Sequence, residues 1–88
     1  MAKDAHRQEI GQRLLELREA YGYSQSKMGN MISVTAVAWN MWEAGKRRIG
    51  IDAAIALHQK TGATLDWIYL GEGKVPKKLR SREALTER

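Results

Sequence analysis

The 88-residue chain is predicted to be all-α, a compact bundle of about five helices. Two observations lead to this prediction. Serine, threonine and glycine recur at positions suited to helix starts and ends, and the apolar residues between them repeat at helical spacing. A hydrophobic fraction of 43% is enough for one core, so we expect a single small domain over residues 1–71.

The first helix is predicted from about Asp4 to Tyr21, with Gly22 ending it. Its apolar residues recur at the spacing of one buried helical face: Ile10, Leu14, Leu17 and Tyr21.

Two short helices follow across a tight turn, from Gln25 to about Ile32 and from about Ala36 to Ala44, with Ser24 and Thr35 as their N-caps. The first is too short to persist without packing. Gly29 lies in its interior, where glycine lowers helix stability by roughly 0.5–1 kcal/mol relative to alanine. We therefore expect the next helix to approach closely at Gly29.

The second short helix divides into two faces at 100° per residue. Trp39, Trp42 and Glu43 share one face, and the tryptophans predict that it is buried. The charge of Glu43 then needs a partner, for which Arg18 on the first helix is the candidate. The opposite face carries Val37, Asn40, Met41 and Ala44, a largely apolar strip that would be exposed.

The rest of the chain predicts two further helices and a tail. One helix covers about Ile51 to Thr61, and the other covers Leu65 to Leu70 between Thr64 and Gly71. On the longer one, four residues share a side: Ile51, Ala54, Ile55 and His58. Residues 72–88 are expected to be a basic tail that is disordered or that forms a helix over 81–88 in a dimer, and Ile68 and Tyr69 are expected to contribute to such an interface.

The formal net charge of +5 favours a polyanionic partner, and its distribution is uneven. The formal net charge of residues 1–23 is zero, and so is that of residues 24–45. The excess lies in the run Lys46, Arg47 and Arg48 and in residues 72–88, which hold six basic and three acidic residues. Directly after an exposed helix face, the basic run suits contact with phosphates.

Composition argues against several other classes of protein. The chain has no cysteine, and its two histidines are isolated, so we expect no disulfide, no metal site and no cofactor. It lacks a paired nucleophile and base and a glycine-rich phosphate loop, so we do not expect an enzyme. Its polar start and the absence of a long apolar run predict a cytoplasmic protein with no signal peptide and no membrane contact.

Three segments together resemble the Cro-like and lambda-repressor-like regulators, the XRE family of helix-turn-helix proteins: RLLELREAYGYSQ at 13–25, WEAGKRR at 42–48 and TGATLDWIYLGE at 61–72. The resemblance implies a five-helix bundle whose third helix enters the major groove of double-stranded DNA. It also implies a phage or bacterial transcription regulator, commonly a dimeric repressor or activator.

The resemblance assigns roles to individual positions. Gln25 matches a glutamine that touches the DNA backbone, Arg18 and Glu43 match a structural ion pair, and Ser33 occupies a turn position usually held by glycine in a left-handed conformation. The residues expected to face base edges are Ala36, Val37, Asn40 and Met41. Those expected to contact phosphates are Gln25, Lys27, Lys46, Arg47 and Arg48.

Two hypotheses about function remain open. In the first, the protein is a DNA-binding regulator, a repressor acting as a homodimer on operator DNA, in which Asn40 contacts adenine and Val37 packs on a thymine methyl group. In the second, the apolar strip of Val37, Met41 and Ala44 docks another protein, and DNA binding is weak or nonspecific.

Overall fold

The computed structural model describes residues 2–80, with side chains from residue 6 onward. Within that range there is no strand, and the prediction of an all-α bundle is confirmed. The helices are α1 (Ala2–Tyr21), α2 (Gln25–Met31), α3 (Ala36–Glu43), α4 (Ile51–Thr61) and α5 (Leu65–Leu70). Residues 77–80 are also helical.

The predicted caps set the helix boundaries. Ser24, Thr35 and Thr64 each accept a hydrogen bond at 3.0 Å from the backbone N–H three residues later, in the first turn of α2, α3 and α5. The chain leaves α1, α4 and α5 through glycines with positive φ, a conformation that glycine adopts without steric cost: Gly22, Gly62 and Gly71. The helix ends therefore agree with the sequence predictions to within about two residues, because the signals are local.

The core is built around Trp39 of α3, which is fully buried. Its ring meets that of Trp42 edge to face, with centroids 5.8 Å apart. The α1 stripe packs against them as predicted, with Ile10, Leu14 and Leu17 buried and Tyr21 half-buried. Met28 of α2, Leu57 of α4 and Ile68 of α5 belong to the same core.

Two glycines allow the backbone of one segment to touch another. A Cβ atom on Gly11 of α1 would lie 2.5 Å from the carbonyl oxygen of Trp42, so α1 and α3 cross without an intervening side chain. On Gly29 it would lie 2.8 Å from the carbonyl oxygen of Val34. The expected close approach at Gly29 is confirmed, although the contact is with the turn before α3, and the equivalent role of Gly11 was not anticipated.

One expectation about α5 needs correction, and α4 buries only part of its apolar side. The core face of α4 is formed by Ala54 and Leu57, whereas Ile51 and Ile55, which share a side with Ala54 in sequence, are exposed. The assignment of Ile68 to a dimer interface was wrong, because that side chain is fully buried in its own bundle. Tyr69 beside it is half-buried, and its hydroxyl donates a 2.8 Å hydrogen bond to the carbonyl oxygen of Ile49.

The described chain continues to pack beyond residue 71. Pro76 and Leu79 are buried, Leu79 belongs to the same apolar core as Trp39, and Val75 packs against that core. Residues 81–88, for which a helix in a dimer was an alternative, lie outside the described residues. None of the described helices is long and apolar enough to cross a membrane.

Candidate nucleic-acid interface

The turn between α2 and α3 is fixed by backbone hydrogen bonds. The Ser33 N–H donates to the Asn30 carbonyl at 3.2 Å, and the Val34 N–H donates to the Gly29 carbonyl at 2.9 Å. Ser33 has φ 62°, the left-handed conformation that its position in the resemblance implied. This turn sets the direction in which α3 leaves α2.

Helix α3 has one buried and one outward face, divided as its helical phase predicts. Trp39 and Trp42 are buried. On the opposite face, Val37 is 70% exposed and Asn40 is exposed, while Met41 and Ala36 are half-buried. Of the four residues expected to face bases, Val37 and Asn40 therefore project furthest.

Glu43, at the last turn of α3, accepts hydrogen bonds from three side chains. Arg18 donates from Nε at 2.6 Å and from Nη2 at 3.2 Å, Gln25 donates from Nε2 at 3.0 Å, and Trp39 donates from its indole Nε1. Arg18 also donates from Nη1 to the Tyr23 carbonyl at 2.9 Å. The carboxylate thus joins α1, α2 and α3 at one point.

The electrostatics of this cluster favour the ionised pair. Burial raises the pKa of Glu43, but the hydrogen bonds from Arg18, Gln25 and Trp39 outweigh it, and the pKa lies below its ordinary value. The hydrogen bond to Glu43 raises the pKa of Arg18 despite partial burial. Both groups are therefore charged at neutral pH, with side-chain exposures of 18% for Arg18 and 8% for Glu43.

Gln25 connects this ion pair to the outward face of α3. Its Nε2 donates to Glu43, so its Oε1 points away and accepts a long 3.4 Å hydrogen bond from Asn40 Nδ2. Sequence reasoning assigned Gln25 to the DNA backbone and missed this second role. The available signal for this hydrogen bond was that Gln25 and Asn40 lie on two short helices that were expected to approach each other closely.

The basic run after α3 is held by the end of that helix. Gly45 has φ 75°, its N–H donates to the Trp42 carbonyl at 3.1 Å, and the Lys46 N–H donates to the Met41 carbonyl at 3.0 Å. This is the Schellman arrangement of a helix C-terminus. Lys46, Arg47 and Arg48 are all exposed beside α3.

Lys27 lies in the first turn of α2, on the other side of α3 from the basic run in sequence. Its side chain is exposed, and its Nζ lies 4.3 Å from the centroid of the Tyr23 ring. Exposed cations therefore lie in the first turn of α2, at Lys27, and just after the C-terminus of α3, at residues 46–48.

Among the described residues, no cluster of three or more His, Asp or Glu side chains is arranged to hold a metal ion. Both histidines instead contact backbone carbonyls, His6 at Tyr69 and His58 at Ala63.

A family model described as helix-turn-helix matches residues 14–68, more than half of the chain. The protein belongs to this helix-turn-helix family. The matched residues contain the C-terminal part of α1, all of α2, α3 and α4, Glu43, the basic run and most of α5. The family is of the XRE type that the sequence indicated.

The chain is also similar to a protein of Pyrococcus furiosus that is provisionally named an HTH-type transcriptional regulatory protein. The two are 41% identical over 49 residues, which are 56% of this chain and 16% of that relative. The chain therefore matches only a small part of the length of that relative. No solved structure matches the chain significantly.

Proposed function

We propose that this helix-turn-helix protein is a transcription regulator that binds double-stranded DNA sequence-specifically by placing α3 in the major groove. The observation that carries the proposal is the division of α3: two tryptophans fix one face in the core, and Val37 and Asn40 stand out from the other. The exposed basic run begins where this helix ends. A helix of this kind beside cations suits major-groove binding.

Phosphate contacts would provide most of the affinity. Lys46, Arg47 and Arg48 are exposed, the backbones of Lys46 and Arg47 are hydrogen-bonded to the end of α3, and Lys27 is exposed at the start of α2. Gln25 can add one contact, because only one of its two amide hydrogens is used by Glu43. Such contacts set the orientation of the protein on DNA but do not distinguish sequences.

Base contacts would come mainly from Asn40 and Val37. The Asn40 amide gives one hydrogen to Gln25 and keeps its second hydrogen and its oxygen, which is the pair of groups that a bidentate contact to adenine requires. Val37 can pack on a thymine methyl group. Ala36 and Met41, half-buried on the same helix, would border this contact. The preferred site should therefore contain A·T base pairs.

We further propose a homodimer that represses transcription by occupying its operator. A dimer would place two copies of α3 about 34 Å apart on one face of the duplex. Exposed apolar side chains outside the α2–α3 face support an association between copies: Ile51, Ile55 and Leu70.

The test is a selection of bound duplexes from a random pool, followed by titrations of two variants on the selected and on a random duplex. Asn40→Ala should lose about 1–3 kcal/mol of discrimination at one base pair and leave binding to random DNA unchanged. Arg47→Ala should weaken binding to both duplexes alike and lower the slope of log affinity against log salt concentration by about 0.9. Identical behaviour of the two variants on both duplexes would refute this division of roles, and selected sites with two half-sites would support the dimer.

The alternative of a protein-docking module has two observations in its favour, the 70% exposure of Val37 and the exposure of Ala44. The expected docking strip is short, however, because Met41 is half-buried. A protein binder would show weak binding to random duplex with little dependence on salt, so two titrations at different salt concentrations separate the alternatives.

A further inference from the structure

Four side chains form a continuous row of contacts that starts at α2. Lys27 Nζ lies 4.3 Å from the centre of the Tyr23 ring, the Tyr23 and Tyr21 rings are 5.4 Å apart, and Lys78 Nζ lies 5.4 Å from the centre of the Tyr21 ring. We call this the cation–tyrosine row. It connects the first turn of α2 to a segment that is distant in sequence.

At its far end the row borders a cleft of about 310 Å³ lined by Tyr21, Thr61, Lys77 and Lys78. The Thr61 hydroxyl is already used, since it donates to the Leu57 carbonyl at 2.7 Å and accepts from the Ala63 N–H at 3.1 Å. The side-chain polar groups left to meet a ligand are the two ammonium groups and the Tyr21 hydroxyl, and only the ammonium groups carry charge. The cleft has the character of an anion-binding surface.

The lysines of this cleft are carried by a packed segment. Pro76 and Leu79, on either side of the lysine pair, are buried, and Leu79 belongs to the core. Lys77 and Lys78 are themselves exposed. Their backbone is thus fixed relative to α1 and α2, which makes them suited to contact at a defined distance from Lys27.

We propose that Lys77 and Lys78 form a second phosphate-binding surface, which contacts the sugar-phosphate backbone of DNA flanking the base pairs that α3 faces. The proposal rests on the proposed DNA binding and adds to it a segment outside residues 14–68, the part of the chain that the helix-turn-helix family matches. Each step of the cation–tyrosine row is about 4–6 Å. Since one DNA strand rises about 3.4 Å per nucleotide, Lys27 and Lys78 can reach phosphates a few nucleotides apart on one strand.

A polyanion suits this surface better than a free small anion does. The cleft is near the lower limit of about 300 Å³ for ligand pockets, and it lacks the several convergent polar groups that orient a small ligand. Exposed lysines instead contribute to binding through the summed attraction and counterion release of many phosphates. The row also places the cleft in continuity with Lys27, which is already part of the proposed DNA contact.

The test compares Lys78→Ala with Lys74→Ala, which removes the same charge from the same segment but does not line the cleft. Affinity is measured as a function of salt on a long duplex and on a duplex trimmed beside the selected site. On the long duplex Lys78→Ala should lower the salt slope by about 0.9, so that a fourfold rise in salt weakens the variant roughly 3.5-fold less than the wild type. Lys74→Ala should keep the wild-type slope, and on the trimmed duplex Lys78→Ala should match the wild type.

The tyrosine ring provides a second, independent variant. Tyr21→Phe retains the aromatic ring under Lys78 and should keep the wild-type salt slope on the long duplex. Tyr21→Leu removes the ring and should lower that slope. Thermal unfolding of each variant checks that the fold is intact.

Several outcomes would overturn the inference. If Lys78→Ala keeps the wild-type slope while the wild type binds DNA, the second surface does not exist and the proposed function stands. If the wild type shows no salt-dependent DNA binding, both fail. If inorganic phosphate raises the thermal midpoint of the wild type but not of Lys78→Ala, and the two proteins have the same salt slope on the long duplex, the cleft binds free anions instead.

Discussion

Replacing Glu43 by glutamine tests the role of the ion pair that joins α1, α2 and α3. The substitution keeps the size of the side chain but removes the charge that accepts from Arg18, Gln25 and Trp39. Removing one partner of a buried pair costs about 3–5 kcal/mol. Because Arg18 retains 18% exposure and glutamine retains one acceptor oxygen, we expect the lower end, about 3 kcal/mol of the free energy of unfolding.

The assay is urea unfolding at several pH values, with thermal unfolding at pH 7 alongside. At about 4–8 °C per kcal/mol for a domain of this size, the Tm of Glu43→Gln should fall by roughly 12–24 °C at pH 7. Glu72→Gln removes an exposed carboxylate and should leave the Tm within a few degrees, since surface substitutions usually change stability by about 0.5 kcal/mol or less.

The pH dependence gives the stricter test. The pKa of Glu43 is lowered in the folded protein, so its contribution is complete above the unfolded pKa of about 4.3 and is lost as pH falls through the lower folded value. The difference in unfolding free energy between wild type and Glu43→Gln should therefore be constant from pH 7 to about pH 5 and shrink below about pH 4. A difference that is small at pH 7, or equal at pH 7 and pH 3.5, would refute the argument.

Three further changes test other parts of the fold by the same unfolding assays. Gly11→Ala should destabilise by about 1–3 kcal/mol despite the better helix propensity of alanine, because the added methyl group would meet the backbone of α3; a more stable variant would contradict the close crossing. Ser33→Gly should stabilise by roughly 0.5–1 kcal/mol by relieving the left-handed conformation, while the same change at Ser26, inside α2, should destabilise. Leu79→Ala should cost about 2–3 kcal/mol, and an unchanged unfolding curve would show that its segment is not part of the cooperative unit.

The sequence predicted what is encoded locally. Helix starts follow from hydroxyl caps such as Thr35 and Thr64, helix ends follow from Gly22 and Gly62, and the buried side of α3 follows from its two tryptophans. Each depends on residues within one or two turns of the chain, so spacing alone was sufficient.

What the sequence did not predict concerns partners that are remote in sequence. Ile51 and Ile55 share a side with Ala54, but the position of α4 against α5 buries Leu57 instead, and that position depends on the whole bundle. The burial of Leu79 has the same origin. In the candidate interface, the outward positions were predictable from helical phase, but the hydrogen bond between Gln25 and Asn40 depends on how α2 crosses α3.

The hydrogen bond from the Lys46 N–H to the Met41 carbonyl has a consequence for the DNA itself. It ties the backbone of the start of the basic run to α3, so the protein can adjust the separation between its cations and its asparagine only through the side chains. If the proposed binding holds, the duplex must supply the matching groove width, and sequences that deform easily will be favoured at base pairs that no side chain touches. Part of the selectivity would then be a mechanical property of the nucleic acid.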